Sequence, residues 1–255
     1  MLNSLFSAFL MYSRIPMPKV EWKEENRRYT LGFFPLVGAV IGIAFLLWHW
    51  LCRRLSLNPF MLGAVSAVIP VAVTGGIHLD GFCDVSDALA SFGGKGKKLS
   101  IMSDPHIGSF AVIRLCVCMM LFSAVLSQSS RTTALVCACG YVLSRALSGL
   151  SAVTMRSAKS DGTLQSFVKP SHRRITIAMD SLFIAISGTL MVIAGGLCGA
   201  AALFAAAAVL CWCKMAAYRN FGGISGDVCG WFLVLCELWT ASAAVITEKI
   251  VEVFR

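Results

Sequence analysis

Gly75-Gly76-Ile77-His78-Leu79-Asp80-Gly81-Phe82-Cys83-Asp84-Val85-Ser86-Asp87 follows directly on an apolar run able to cross a bilayer, and its reading decides the rest of the chain. It gathers three of the thirteen acidic residues into one short stretch. If the membrane helix continues through them, steps of about 100° per residue set Asp84 and Asp87 at roughly +40° and −20° from Asp80, inside one narrow stripe. Three carboxylates so placed repel one another unless a cation sits among them. Hard oxygen ligands at this density suit Mg²⁺, or Mn²⁺, rather than Zn²⁺. The stretch therefore reads as a metal site at one face of a membrane protein, with Asp80, Asp84 and Asp87 as the ligands.

Working outward, the composition carries the same message. Of 255 residues, 57% are hydrophobic and only 14% charged, and the mean hydropathy is +0.77. Soluble domains carry about 25% charged residues, so the chain reads as an all-α, polytopic membrane bundle forming a single integral membrane domain over residues 1–255. Seven spans of about 20 residues are expected near 31–51, 59–79, 107–127, 134–154, 176–196, 198–218 and 228–247. Gly195, Gly196 and Gly199 offer a turn between the fifth and sixth, and one long bent helix is the alternative there. Leu2 to Tyr12 is apolar but short, with no positive residues ahead of it. It reads as a retained amphipathic or re-entrant segment.

Basic residues set the orientation. With the N-terminus in the cytoplasm, the inner segments hold fifteen of the 22 Lys and Arg residues and the outer ones five; Arg114 and Arg145 lie within spans. Three polar stretches, 14–30, 91–106 and 155–175, then fall on the cytoplasmic side, each long enough for a short helix or flap. The net charge of +9 is explained by such loops facing anionic lipid, or in part by recruitment of an anionic substrate. Nothing suggests nucleic-acid binding, because no basic patch is interleaved with aromatics. The eleven cysteines mostly lie in or beside spans, where Cys acts as a small apolar residue. A homo-oligomer is compatible with the sequence.

A second glycine-acid segment, Gly222-Gly223-Ile224-Ser225-Gly226-Asp227, links the last two spans on the same side. Gly222, Gly223 and Gly226 let backbone N–H groups approach a phosphate, and Asp227 becomes either a further ligand, a base or a helix cap. His78 points away from Asp80 on a regular helix and serves structure, whereas an unwound Gly75-Gly76 step would bring it to the chemistry. Asp104, before Pro105, is a cap or a ligand for metal or substrate, with His106 as a proton carrier. An unpaired guanidinium inside a span is costly. Arg145 is expected to pair with an acid such as Glu237, while Arg114 and Arg14 are expected to contact an anionic substrate.

These motifs, in order, resemble the adenosylcobinamide-GDP ribazoletransferase (cobalamin synthase) family. The likeness rests on Arg14-Ile15-Pro16, Phe34-Pro35-Leu36-Val37-Gly38, the His78 to Asp87 run, Ile101 to Gly108, Ser144-Arg145, and Gly222-Gly223 with Gly226-Asp227 and Gly230. The resemblance implies a membrane enzyme in which α-ribazole or its 5′-phosphate attacks adenosylcobinamide-GDP with Mg²⁺ assistance, releasing GMP and forming adenosylcobalamin or its 5′-phosphate. It also implies a bacterial inner-membrane enzyme whose active site faces the cytoplasm. Asp227 and His78 are then the catalytic candidates. The acidic run is also similar to the CDP-alcohol phosphotransferase motif, though Asp84-Val85 replaces its Ala-Arg. A transporter or ion channel is the competing class, and it requires acids spread through the bilayer depth and broken helices at the midplane.

Overall fold

A computed structural model describes residues 1–158 and 162–254, so Lys159 and Arg255, both counted in the charge balance above, lie outside the described residues. The chain opens with α1 (Leu2–Tyr12) and the single turn α2 (Glu24–Arg27). Then come α3 (Thr30–Arg54), α4 (Pro59–Thr74), α5 (Ile77–Ala90), the short α6 (Lys95–Ile101) and α7 (Ser109–Ser127). The second half comprises α8 (Arg131–Thr154), the short α9 (Thr163–Val168), α10 (Arg173–Gly195), α11 (Leu197–Asn220) and α12 (Gly226–Val253). Each of the three polar stretches thus holds one short helix.

Among the described residues six helices are long and apolar enough to cross a membrane, and the bent pair α4 and α5 makes a seventh if it counts as one span. At about 1.5 Å per residue, the 25 residues of α3 reach past the roughly 30 Å of a hydrocarbon core, whereas the 16 of α4 fall short of it. The expected continuous span over 59–79 is therefore corrected. Gly75 (φ 69°) and Gly76 (φ 85°) both take the left-handed conformation, and the chain turns through 99° before α5 begins. Residues with a Cβ are disfavoured there, which is why glycine stands at both positions. The turn at Gly196 (φ 53°) likewise settles residues 173–220 as two helices rather than one.

The interior is built on α8, α12 and α3, with α7 and α10 outermost: 78% of the apolar window of α8 is buried against 22% of that of α7. Large apolar side chains such as Leu47, Phe60, Met120, Ile193 and Phe204 point outward, as suits a lipid-facing surface. Helices without a hydrophobic drive between them associate by close packing at small residues. Gly38 and Gly42, four apart on α3, do this against α8: a Cβ at Gly38 would stand 2.2 Å from the carbonyl oxygen of Tyr141, and one at Gly42 would stand 2.8 Å from that of Ala138. Beside this seam Arg145 forms the expected ion pair with Glu237, and the same nitrogen donates to the Tyr141 carbonyl at 3.1 Å. Both partners are buried, so neither leaves a lone charge in the bundle.

α1 is too short to span and packs against α3, in keeping with a segment that lies on the bundle rather than through it. The end of the bundle where α4 stops and α12 starts also collects the polar connections. The His172 N–H donates to the Arg28 carbonyl at 3.0 Å, and Lys98 donates to Asn220 at 2.7 Å.

Candidate active site

The α4 break and the start of α12 meet. A Cβ at Gly81 would lie 2.8 Å from both Cα and the carbonyl oxygen of Asp227, and one at Gly230 would lie 3.0 Å from the His78 carbonyl oxygen. Glycines facing each other from α5 and α12 therefore let two distant acidic segments share one wall. Over the break sits Arg14, whose N–H donates to the Val73 carbonyl at 2.8 Å. Its side chain lies against Gly75 so closely that a Cβ there would stand 2.4 Å from Arg14 Nε.

Two cavities open from this junction. The wider one, about 670 Å³, is bordered by Arg14, Gly75, Gly76, Asp80, Asp84, Asp104 and His106. The smaller, about 280 Å³, runs between α1, α3, α5, α8, α9 and α12, bordered by Tyr12, Phe34, His78, Asp80, Ser148, Phe167, Gly226 and Asp227. Among the described residues Asp80 is the one acid that borders both.

The other expected site residues divide. His78 is the second residue of α5, directly after the unwound glycine step, and its Nε2 is buried without a hydrogen-bond partner. Asp227 is not the cap of α12. Ser225 is, accepting from the Val228 N–H at 3.3 Å and donating to Asp227 Oδ2 at 3.3 Å. Asp104 caps no helix either: its Oδ1 accepts from the N–H and ring Nδ1 of His106 at 2.9 and 2.8 Å. Those hydrogen bonds hold the Asp104 carboxyl below its ordinary pKa.

Four expectations are redirected by packing. Asp87 shares the stripe of Asp80 and Asp84, but its oxygens accept from the Gly108 and Ala111 N–H groups at 2.6 and 2.8 Å, so it caps α7. Arg114 borders neither cavity and ties α7 to α5 by donating to the Ser86 carbonyl at 2.7 Å. Gly222 and Gly223 also border neither. The loop that carries them is bound to residues 156–158, with Ile224 N–H donating to the Arg156 carbonyl at 2.9 Å and Ala158 N–H to the Ile224 carbonyl at 2.7 Å. Only Gly226 of the three glycines reaches a cavity.

Comparison with known proteins fits this arrangement. The model of a family described as cobalamin-5-phosphate synthase matches residues 4–245. The chain belongs to the cobalamin-5-phosphate synthase family. Curated relatives named adenosylcobinamide-GDP ribazoletransferase include one from Lachnoclostridium phytofermentans, 39% identical over 98% of this chain and 96% of that protein. Others are from Clostridium botulinum strain Alaska E43, at 30% identity over 92% and 94%, and from Geobacillus kaustophilus, at 31% over 89% of each. No solved structure matches the chain.

The cobalamin-5-phosphate synthase match spans every residue that borders the two cavities, from Leu10 to Leu233. Reading the sequence did not reveal that Tyr12, Phe34 and Phe167 form a common wall. Phe34 stood out only as part of a span motif, and the other two lie in segments read as a retained amphipathic or re-entrant segment and a polar stretch. Their apolar character was the available signal. It becomes a site only when α1 and α9 fold onto α3, where Tyr12 and Phe34 approach to 4.2 Å between ring centroids.

Whether this donor set suits a divalent ion is a question of ligand number. Among the described residues no group of three His, Cys, Asp or Glu side chains is arranged to hold a metal. Asp80 and Asp84, one helical turn apart on the open cleft, remain. Mg²⁺ commonly binds through one or two carboxylates and completes its shell with water and substrate phosphates, so these two residues fit it in that form.

Proposed function

We propose that this chain is an adenosylcobinamide-GDP ribazoletransferase, joining adenosylcobinamide-GDP to α-ribazole or its 5′-phosphate with release of GMP, in the late steps of cobalamin assembly. The observation that carries the reading is Asp80, which borders both an open, charged cleft and a narrower, aromatic-walled inner cavity. A two-substrate transfer needs such a meeting point, because its reacting atoms must come within about 3–3.5 Å of each other.

In the proposed reaction a hydroxyl of the acceptor attacks the phosphorus nearer the corrinoid. A new P–O bond forms, the P–O bond to GMP breaks, and the hydroxyl proton passes to the Asp227 carboxylate. Asp80 and Asp84 would hold Mg²⁺ at the cleft, and Mg²⁺ there supplies neutralisation of diphosphate charge. Arg14, fixed above the α4 break by its backbone hydrogen bond, orients the anionic donor in the same cleft. Asp104, held ionised by His106, stays acceptor-only beside the same cleft. His78 lines the inner cavity and orients the acceptor beside Asp227.

The concentration of basic residues at this end supports a cytoplasmic site in a bacterial inner membrane. A transporter is less well supported, because the broken helix pair lies at the end of the bundle and the mid-bundle Glu237 is already paired with Arg145. Purified protein in lipid nanodiscs is expected to release GMP from adenosylcobinamide-GDP only when α-ribazole or its phosphate and a divalent ion are both present. Chelation should abolish release and added Mg²⁺ restore it. Absence of GMP release under all these conditions would refute the reading.

A further inference from the structure

We infer that the narrower inner cavity seats the planar aromatic base of the acceptor nucleoside, while the wider cleft takes the diphosphate-bearing donor. The inference rests on the proposed activity and deepens it by assigning each substrate to its own compartment.

Size separates the two first. The inner cavity, at about 280 Å³, lies just below the usual range of roughly 300–1,000 Å³ for small-molecule sites. It suits a compact nucleoside and is too small for a corrinoid macrocycle carrying a nucleotide. The cleft, at about 670 Å³ and more open to the outside, leaves a large donor free to extend beyond it.

Chemistry separates them again. Tyr12 stands 4.2 Å from Phe34 and 6.2 Å from Phe167 between ring centroids, and the His78 ring lies nearly parallel to Tyr12 at 6.4 Å. Four rings from α1, α3, α5 and α9 thus enclose an apolar space whose acids, Asp80 and Asp227, lie on the α5 and α12 side. A flat base stacks on such rings while its sugar hydroxyls turn to the carboxylates. Among the described residues no lysine or arginine borders this cavity. The cleft, by contrast, carries Arg14.

Trp22 packs edge-on against Phe167 at 6.0 Å, which places a fluorescent reporter beside a residue of the cavity wall. The test uses full-length protein in nanodiscs, with KM measured separately for acceptor and donor by GMP release. Acceptor binding is measured in parallel by fluorescence, subtracting a Trp22→Phe control. Phe167→Ala is expected to raise the acceptor KM about tenfold, the scale of one lost base-stacking partner, with the donor KM changed less than about twofold. Ala152→Leu, which fills the same cavity from α8, should do likewise and guards against a folding defect specific to one variant. A rise confined to the donor KM, or no change in the acceptor KM in either variant, overturns the assignment. If wild-type protein releases no GMP, the proposed activity fails. In that event α-ribazole binding that weakens in both variants still supports an aromatic-nucleoside cavity, and absent or unaltered binding overturns it.

Discussion

The two glycine-acid segments look alike in sequence and are used differently. At Gly75-Gly76 both glycines are left-handed, the chain bends by 99°, and the break stays open to the cleft with Arg14 laid across it. At Gly222-Gly223 the first glycine is also left-handed (φ 83°), but the loop is fastened to residues 156–158, and a Cβ at Gly223 would stand 2.4 Å from the Arg156 carbonyl oxygen. One break makes a wall of the site. The other anchors a helix so that its first turn presents Asp227 to that wall. A glycine pair ahead of an acid thus signals a backbone break, and what the break does depends on the partner packed against it.

Substitutions can test this contrast, and the largest effect is expected at the acid the second segment delivers. Asp227→Asn should lower the rate of GMP release by about 10²–10⁴-fold if the carboxylate takes the acceptor proton, with thermal stability little changed. A rate within a few-fold of wild type would remove Asp227 from the chemistry. Next in size, Gly223→Val should destabilise the fold by about 1–3 kcal/mol, because its side chain meets fixed backbone. The readout is the thermal midpoint in detergent, and loss of activity should follow loss of folded protein. Gly75→Ala should cost about 1–2 kcal/mol through its left-handed φ, and should also raise the donor KM by displacing Arg14. A donor KM unchanged in the folded variant would show that Arg14 is not a donor contact. The smallest effect is expected within α5. Asp87→Ala should cost about 1 kcal/mol as a lost cap while leaving the Mg²⁺ concentration needed for half-maximal rate unchanged. Asp84→Ala should raise that concentration, and equal behaviour of the two variants would erase the distinction drawn between them.

Much of the scaffold was legible because the bilayer restricts what a spanning segment can be. The expected spans at 31–51, 107–127, 134–154 and 228–247 fall on α3, α7, α8 and α12; α3, α8 and α12 run a few residues longer, while α7 starts two residues later, at Ser109. The Arg145–Glu237 pair was legible too, since a guanidinium inside a bundle needs an acid within it. The stripe Asp80, Asp84, Asp87 was read correctly as one helical face, but helical spacing says nothing about which neighbour that face meets. Asp87 lies against the N-terminus of α7, whose unpaired N–H groups take its carboxylate. Arg114 meets a carbonyl of α5 in the same way.

The sequence by itself determined that this chain is a membrane-spanning helical protein, where its glycines offer a break and which acids stand beside them. Hydrophobic length and the conformational freedom of glycine are local properties, carried by each segment alone. Only the tertiary structure decided that Gly81 faces Asp227, that Asp80 borders two cavities, and that Tyr12, Phe34 and Phe167 close one of them. Those relations join residues far apart in the chain, and they exist only once the helices pack closely enough for small residues on one to admit the backbone of another.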